Sequence, residues 1–246
     1  MKKIVVFSIC LPFIVQIYAY ESTLLNLAAP VELDARQYEF TLQHRFYTPV
    51  EDISKTVFGD GVSSGANPGF GLRFRIGKGI DLSGTYTYND PAKGFTIGAG
   101  YNYAIPKLQS DVRLDVEYFS FHPFPDTREG NAFVLLAWQV KLLRGRVRPV
   151  LNVGYNHYNE KVGAAAGCGF RIFQKLELIG EYYLATDPLD LDNKDSFALG
   201  LDYQTYGHHF MIVVSNNSEL GVRRLMRGTQ SEDLYFGFNI HRLLEF

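Results

Sequence analysis

The sequence has 246 residues, of which 24 are Lys or Arg, 26 are Asp or Glu, and 15% are aromatic. The length fits one domain, and the near-neutral charge without a basic stripe argues against nucleic acid as a partner. Beyond residue 19 the one cysteine is Cys168, which excludes an intramolecular disulfide. The same part holds no run of 18 apolar residues, which excludes membrane-spanning helices.

The N-terminus has the layout of a secretory signal peptide. Lys2 and Lys3 give a positive start, residues 4–17 are almost uninterruptedly apolar, and Ala19 fits a small-residue cleavage site. We therefore expect residues 1–19 to be removed. A transmembrane anchor is the alternative, but this apolar stretch is too short to span a bilayer comfortably.

Two further interpretations concern the N-terminal region. A lipoprotein anchored through Cys10 is disfavoured, because Ile9 rather than a small residue precedes that cysteine. Residues 20–35 are interpreted as a periplasmic N-terminal segment, either a short helix or a partial plug.

From residue 36 onward the dominant pattern is an alternation of apolar and polar residues, which is typical of strands with one apolar face. The sixth segment is apolar on both faces, so its phase cannot be read, and the eleventh is weak. Pro149 in the seventh segment predicts a local bulge, because proline removes a ladder hydrogen bond. The twelve candidate strands lie near 37–47, 70–76, 80–88, 95–103, 112–118, 131–141, 147–155, 162–170, 176–184, 197–203, 208–215 and 234–244.

The connections between these strands alternate in length. Those after odd strands are mostly long and rich in Pro, Asp, Asn and Gly, whereas those after even strands are mostly short. Barrels of the bacterial outer membrane show this asymmetry, with long extracellular loops and short periplasmic turns. The sequence therefore predicts an all-β fold for residues 36–246, a single transmembrane antiparallel up-and-down barrel of about twelve strands, surrounded by outer-membrane lipid.

The end of the sequence carries a motif that agrees with this fold. Alternate positions are apolar and lead to a terminal aromatic residue, with Arg242 as the one departure: Phe236, Phe238, Ile240, Leu244 and Phe246. This pattern resembles the C-terminal assembly signal of bacterial outer-membrane proteins. The resemblance extends to small outer-membrane barrels grouped as domains of unknown function, and it implies the barrel-assembly machinery as a transient partner.

If the apolar faces meet lipid, the polar faces line the lumen. The charges there could set up a transverse field across a narrow pore, or they could pair across neighbouring strands. Strand direction makes Glu39–Arg75 and Arg171–Glu177 plausible neighbours. The lumen-lining candidates are Glu39, Arg45, Arg73, Arg75, Asp81, Arg113, Asp115, Glu117, Arg148, Arg171, Glu177, Glu181 and Asp202.

Small inward residues on the fourth and eighth strands leave space in the lumen, for water or for a loop that folds inward. The loop at 48–68 is the longest and is the first candidate to fill that space. The loop at 216–232 carries Arg223, Arg224 and Arg227, and we expect either a solvated loop or an anion-attracting cluster at the outer mouth.

An enzyme in the barrel wall is the least favoured possibility, although some twelve-stranded outer-membrane barrels are lipid hydrolases that use Ser and His. No nucleophile and base can be tied together by their spacing in the sequence, no metal-ligand spacing appears, and no cofactor is predicted. His208 and His209 are expected in a periplasmic turn, as surface residues. The candidate side chains are His157, His208, His209, His241, Ser83, Ser196 and Ser215.

The sequence thus favours a narrow passive channel for small hydrophilic solutes. The alternative is a closed barrel with a structural or interaction role, which presents loops 48–68 and 216–232 outward. A soluble lipocalin-type barrel, whose apolar faces would point inward around a ligand, is the rival from another class.

Overall fold

A computed structural model describes residues 23–52, 65–88, 94–121, 128–186 and 193–245. The predicted signal segment, most of loop 48–68 and Phe246 lie outside these ranges. No helix within them is long and apolar enough to cross a membrane. The strands are β1 (Gln37–Pro49), β2 (Ala66–Gly77), β3 (Ile80–Thr87), β4 (Gly94–Ile105), β5 (Ser110–Phe121), β6 (Glu129–Val140), β7 (Val147–Asn156), β8 (Lys161–Phe173), β9 (Leu176–Tyr183), β10 (Ser196–Thr205), β11 (His208–Ser215) and β12 (Tyr235–Glu245).

The twelve strands form one closed antiparallel barrel, in which each strand pairs with its neighbours in the sequence and β1 closes on β12. The seam runs in continuous register from Gln37–Glu245 to Arg45–Gly237. Closure leaves no free sheet edge, which is the arrangement that a sheet needs in lipid. The predicted fold class and strand number are confirmed.

Short 3₁₀ segments and one helical turn lie between the strands. The 3₁₀ segments are Val50–Asp52, Pro106–Leu108 and Leu143–Gly145, and the helical turn, α1, is Val222–Leu225. The turns after even strands are short, so by the loop-length rule they mark the periplasmic end of the barrel.

The outer surface of the barrel is apolar. Large side chains at alternate positions are exposed around the circumference, among them Leu72, Ile97, Val116, Leu136 and Leu199. Exposed apolar bands of this kind fit lipid and not water. The lipocalin-type alternative, with apolar faces turned inward, is therefore wrong.

Two details of the strands differ from the sequence-based predictions. The expected bulge at Pro149 is wrong, because β7 pairs with β8 in unbroken register from Val147 to Asn156. The regular ladder between β6 and β7 ends at Gln139–Val150, so Pro149 lies beyond it and no ladder bond is lost there. The phase of β6 is now clear: Phe133, Leu135 and Ala137 are buried inside the barrel.

Candidate functional site: the barrel lumen

The lumen contains the segment that precedes β1. Residues 23–33, here called the N-terminal plug, lie inside the barrel, and they form a turn closed by a hydrogen bond from Leu24 N to Leu27 O and a bridge between Thr23 and Ala28. Leu24, Leu25 and Leu27 are fully buried. The described part of the segment predicted at 20–35 is therefore a turn in the lumen and not a helix.

Glu181 on β9 anchors the tip of the plug. Its carboxylate accepts hydrogen bonds from the backbone N–H groups of Leu25 at 2.7 Å, of Asn26 at 2.9 Å and of Leu27 at 2.9 Å. Tyr183 donates its hydroxyl to the same carboxylate at 2.7 Å. Charge-assisted bonds of this kind are stronger than neutral ones, so a single buried glutamate fixes the whole turn.

The plug is also bound to three further strands of the wall. Asn152 on β7 accepts a hydrogen bond from Ala28 N and donates one to Ala28 O, both at 2.9 Å. Arg45 on β1 donates to Asn26 Oδ1 at 3.2 Å, and Asn239 on β12 donates to Leu25 O at 2.6 Å. The backbone polar groups of the plug are thus satisfied by side chains of the wall.

Leucine side chains of the plug pack against an apolar inner wall, here called the packed half, formed by β6 to β11. An added Cβ at Gly167 would lie 2.7 Å from Leu27 Cδ1, so glycine is needed there for the plug to approach the wall. The buried apolar side chains that form this cluster with the plug include Leu135, Val150, Ala165, Ile179, Ala198, Met211 and Val213.

The loop between β11 and β12 enters the lumen from the opposite end. Val222, Leu225 and Met226 belong to the same buried cluster. Arg223 stacks over Phe119 on β5, with the guanidinium carbon 3.7 Å from the ring centroid. Burial and the nearby charge of Arg224 lower the pKa of Arg223 to about 9, and the opposite charge of Glu117 counters that shift.

This loop corrects the prediction for the basic cluster at 216–232. Arg224 pairs with Glu219 at 3.0 Å and donates to Thr87 at 3.0 Å, so Arg223 and Arg224 are held inside the barrel mouth. Arg227 is exposed. A fully solvated loop is therefore wrong. Loop 216–232 folds into the lumen, which is the position predicted for loop 48–68; most of loop 48–68 lies outside the described residues.

The wall of β1 to β4, here called the polar half, is different. Between it, the plug and the loop lies a chamber of about 200 Å³. Hydroxyl-bearing and small residues form much of its lining, and Glu117 and Arg223 bring charges of both signs. The lining residues on the wall include Thr41, Gly71, Ser83, Thr85 and Thr96.

An ion-pair network lies at the periplasmic base of the chamber. Asp81 on β3 contacts Arg73 at 2.7 Å and Arg113 at 2.7 Å, and Arg113 also contacts Asp115 at 2.6 Å. Asn102 donates to Asp81 at 2.9 Å, and Arg73 also donates to the carbonyl of Val31 in the plug. These buried charges are paired, as desolvated charges must be.

A second network lies below the packed half. Glu177 on β9 contacts Arg148 at 2.9 Å and Arg171 at 3.9 Å. Asp202 accepts from Gln204 at 3.0 Å and contacts His209 at 2.8 Å. The suggested neighbours Arg171 and Glu177 are thus directly opposite one another on β8 and β9.

The other suggested pair, Glu39–Arg75, is wrong by two residues along β2. Glu39 lies opposite Arg73 in the β1–β2 register, and their charged groups are 3.5 Å apart. Arg75 instead contacts Glu32 of the plug at 3.0 Å and donates to the carbonyl of Leu33 at 2.9 Å. Arg75 therefore pairs with Glu32 of the plug and not with Glu39 of β1.

Two histidines are deeply buried, and for His209 this corrects the expectation of a surface residue. His209 and His241 face each other on β11 and β12, with 2% and 1% of each residue exposed. Each ring places Nδ1 on a carboxylate, His209 on Asp202 at 2.8 Å and His241 on Glu39 at 3.1 Å. The alternation of β11 contained this signal, because His209 shares the face of Met211 and Val213.

The serine candidates for a wall hydrolase are distributed differently. Ser196 and Ser215 lie at the extracellular ends of β10 and β11, where Ser215 donates to the carbonyl of Phe197 at 2.7 Å. Ser83 lies in the chamber wall. The buried histidines lie near the periplasmic ends of their strands, far from the two serines of β10 and β11. Among the described residues, no group of three or more His, Cys, Asp or Glu could hold a metal ion.

The comparisons with known proteins agree with this architecture. Residues 148–244 match a family model described as "Membrane bound beta barrel domain (DUF5777)". This chain is a bacterial outer-membrane β-barrel. No curated protein matches its sequence.

Solved structures show the same fold at low sequence identity. The KdgM porin has a TM-score of 0.59 at 10% identity, over 83% of this chain and 98% of that one. The outer membrane phospholipase of Salmonella typhi, a dimer with bound calcium, has a TM-score of 0.55 at 11% identity, over 89% and 95%. The NanC porin has a TM-score of 0.51 at 9% identity, over 85% and 99%. Porins and a phospholipase thus share this barrel, and at these identities the likeness shows the fold alone.

Proposed function

We propose that this barrel is a narrow passive channel for small hydrophilic solutes, and that the chamber beside the polar half is the wide section of its route. The chamber is the observation that carries the proposal. Its wall of hydroxyl and glycine residues solvates a passing solute without binding it tightly. The porins with the same fold support a channel role.

The plug and the ion-pair network narrow this route on its periplasmic side. Arg73 belongs to both, because it contacts Asp81 and also donates to the carbonyl of Val31. A solute therefore passes only when the plug shifts away from the wall of β2. We expect a small conductance with brief openings, in contrast to the steady current of a wide porin.

Single-channel recording in planar bilayers tests the proposal, with the full chain refolded into lipid. The wild-type protein should give small steps, and Thr96→Trp, which fills the chamber, should reduce their amplitude several-fold. Leu199→Trp is the matched control, because Leu199 faces lipid with 56% of its surface exposed. Absence of steps in the wild-type protein over a range of salt and voltage would refute the channel.

A closed barrel with a structural or interaction role is the second candidate. The packed half favours it, because the leucines of the plug and residues 222–226 fill that part of the lumen. Its outward surface would have to be smaller than the sequence suggested, since much of loop 216–232 is turned inward. Wild-type protein that binds a surface partner and shows no conductance would support this role.

A further inference from the structure

The turns at the periplasmic end share a charge of one sign. The connections after β2, β4, β6 and β8 carry six basic residues and no acidic residue. The loops at the opposite end carry both signs. These six residues, here called the basic rim, are Lys78, Lys107, Lys141, Arg144, Arg146 and Lys175.

The turn between β6 and β7 concentrates this charge around exposed apolar side chains. Leu142 and Leu143 are 46% and 71% exposed, and they lie between Lys141 and Arg144. Lys141 contacts Asp111 at 2.6 Å, and Arg144 and Arg146 are exposed. An apolar tip surrounded by cations is suited to a membrane surface that offers both acyl chains and anionic headgroups.

The backbone of this turn is unusual for the residues that it contains. Leu143 and Arg144 have φ of 50° and 59°, followed by Gly145 with φ of 80°. Tight turns with two left-handed positions favour Asn-Gly, since other side chains crowd the backbone there. The chain accepts this strain and presents a leucine and an arginine at the tip, as functional turns often do.

The position of the turn places it at the membrane boundary. Trp138 faces outward on β6, four residues before Leu142, and is 44% exposed. Tryptophan of this kind marks the interface between the hydrocarbon and the headgroups. The next residues of the strand therefore reach the level of the lipid phosphates.

A pocket at the same end, beside the β2–β3 turn, repeats the combination. Its lining includes Arg36, Arg75 and Lys78 next to Ile76, which is 57% exposed. Arg75 is engaged by Glu32, while Arg36 and Lys78 are exposed. Two turns on different parts of the circumference thus combine cations with an apolar side chain.

We propose that the basic rim binds the phosphate groups of anionic phospholipids in the periplasmic leaflet, with Leu142 and Leu143 inserted at the boundary of the acyl chains. The periplasmic leaflet of an outer membrane is made of phospholipids, part of which are anionic. Basic residues near such a surface each increase affinity about fivefold, so a few of them suffice for selectivity. This inference does not depend on the channel.

Native mass spectrometry of the full chain in detergent tests it, with equal amounts of phosphatidylglycerol and phosphatidylcholine of matched acyl chains. The wild-type protein should retain at least fivefold more phosphatidylglycerol. In Lys141→Gln/Arg144→Gln/Arg146→Gln, which keeps the other three residues of the basic rim, the ratio should fall severalfold. The control Lys161→Gln/Lys194→Gln/Arg227→Gln removes three exposed cations from the opposite end, one of them paired with Glu232, and should keep the ratio.

A second variant separates a lipid from other anions. Leu142→Ser/Leu143→Ser keeps every charge, and it should reduce phosphatidylglycerol retention because the acyl chains lose their contact. Added inorganic phosphate should not release the lipid. A wild-type ratio near one, an equal fall in both triple variants, or release by inorganic phosphate would overturn the proposal. Heat-modifiable migration on a gel verifies that each variant is folded, and the wild-type ratio decides the question even if one variant is not.

Discussion

The two halves of the lumen differ although their outer surfaces are alike. Both present alternate apolar side chains to lipid, as Leu72 does on β2 and Leu199 does on β10. Inside, the packed half has Ile179 and Met211 buried against leucines, whereas the polar half has threonines around a chamber. The comparison shows that one barrel wall can be built partly like the core of a soluble protein and partly like the wall of a pore.

The largest loss of stability is expected when the ion-pair network at the base of the polar half is disrupted. Arg113→Met would leave the buried Asp81 paired with Arg73 alone and would remove the ion pair of the buried Asp115. Removing one partner of a buried pair costs about 3–5 kcal/mol. We expect the free energy of unfolding in urea to fall by that amount. Arg146→Met, an exposed cation of a turn, is the control and should change it by less than about 0.5 kcal/mol. Equal effects of the two variants would contradict the assignment of the network.

The next largest loss of stability is expected when Glu181, which anchors the plug, is replaced. Glu181→Gln replaces a carboxylate that accepts three backbone N–H groups, and hydrogen bonds to charged groups contribute about 1.5–3 kcal/mol each. Since an amide oxygen still accepts part of them, we expect a loss of about 2 kcal/mol in stability. Channel openings should also become longer, as the plug is held less firmly. Unchanged openings in bilayer recordings would argue that the plug does not control the route.

A third variant tests how closely the plug is packed. Gly167→Leu inserts a side chain where a Cβ alone would lie 2.7 Å from Leu27, and overpacking costs about 1–3 kcal/mol. We expect the plug to be displaced and its residues to become accessible to protease. Ala166→Leu, on the lipid-facing side of the same strand, should leave protease resistance as in the wild-type protein.

The smallest effect on stability is expected in the polar half. Thr85→Leu adds volume to a chamber and not to a packed core, so the free energy of unfolding should change by less than about 0.5 kcal/mol. The step amplitude in bilayers should fall, because the chamber becomes narrower and less polar. A stability loss as large as that of Gly167→Leu would show that the chamber is in fact packed, and would remove the distinction between the halves.

The strand pattern was predictable because lipid imposes a simple rule on the outer face. The alternation around Phe40 and Phe236 follows from that rule, and the structure confirms it. The loop lengths and the even strand number are separate signals that agree with the same fold. The inward face of β6 could not be predicted, because Phe133 and Leu135 on the inner side are apolar as well. In the packed half both faces lie against apolar material, so the rule no longer separates them.

The contents of the lumen were much less predictable. The plug has no periodic pattern, and its place depends on Glu181, Asn152 and Arg45, which lie on three different strands. The sequence nevertheless contained a signal. Ile179 and Met211 occupy inward positions, and apolar side chains that face the lumen require another apolar segment to bury them. The pairing of Glu39 with Arg73 required the register between strands, which a sequence pattern does not give.

The contacts of the plug also constrain the order in which the barrel forms. Arg45 on the first strand donates to Asn239 on the last strand at 2.8 Å, and both residues bind the plug, through Asn26 and Leu25. These bonds coexist only when β1 and β12 are already neighbours. All of these bonds to the plug can therefore form only after β1 has paired with β12. The plug then stabilises this junction, which joins the two ends of the barrel sequence. During folding, the final bonds of the plug should appear together with closure of the barrel.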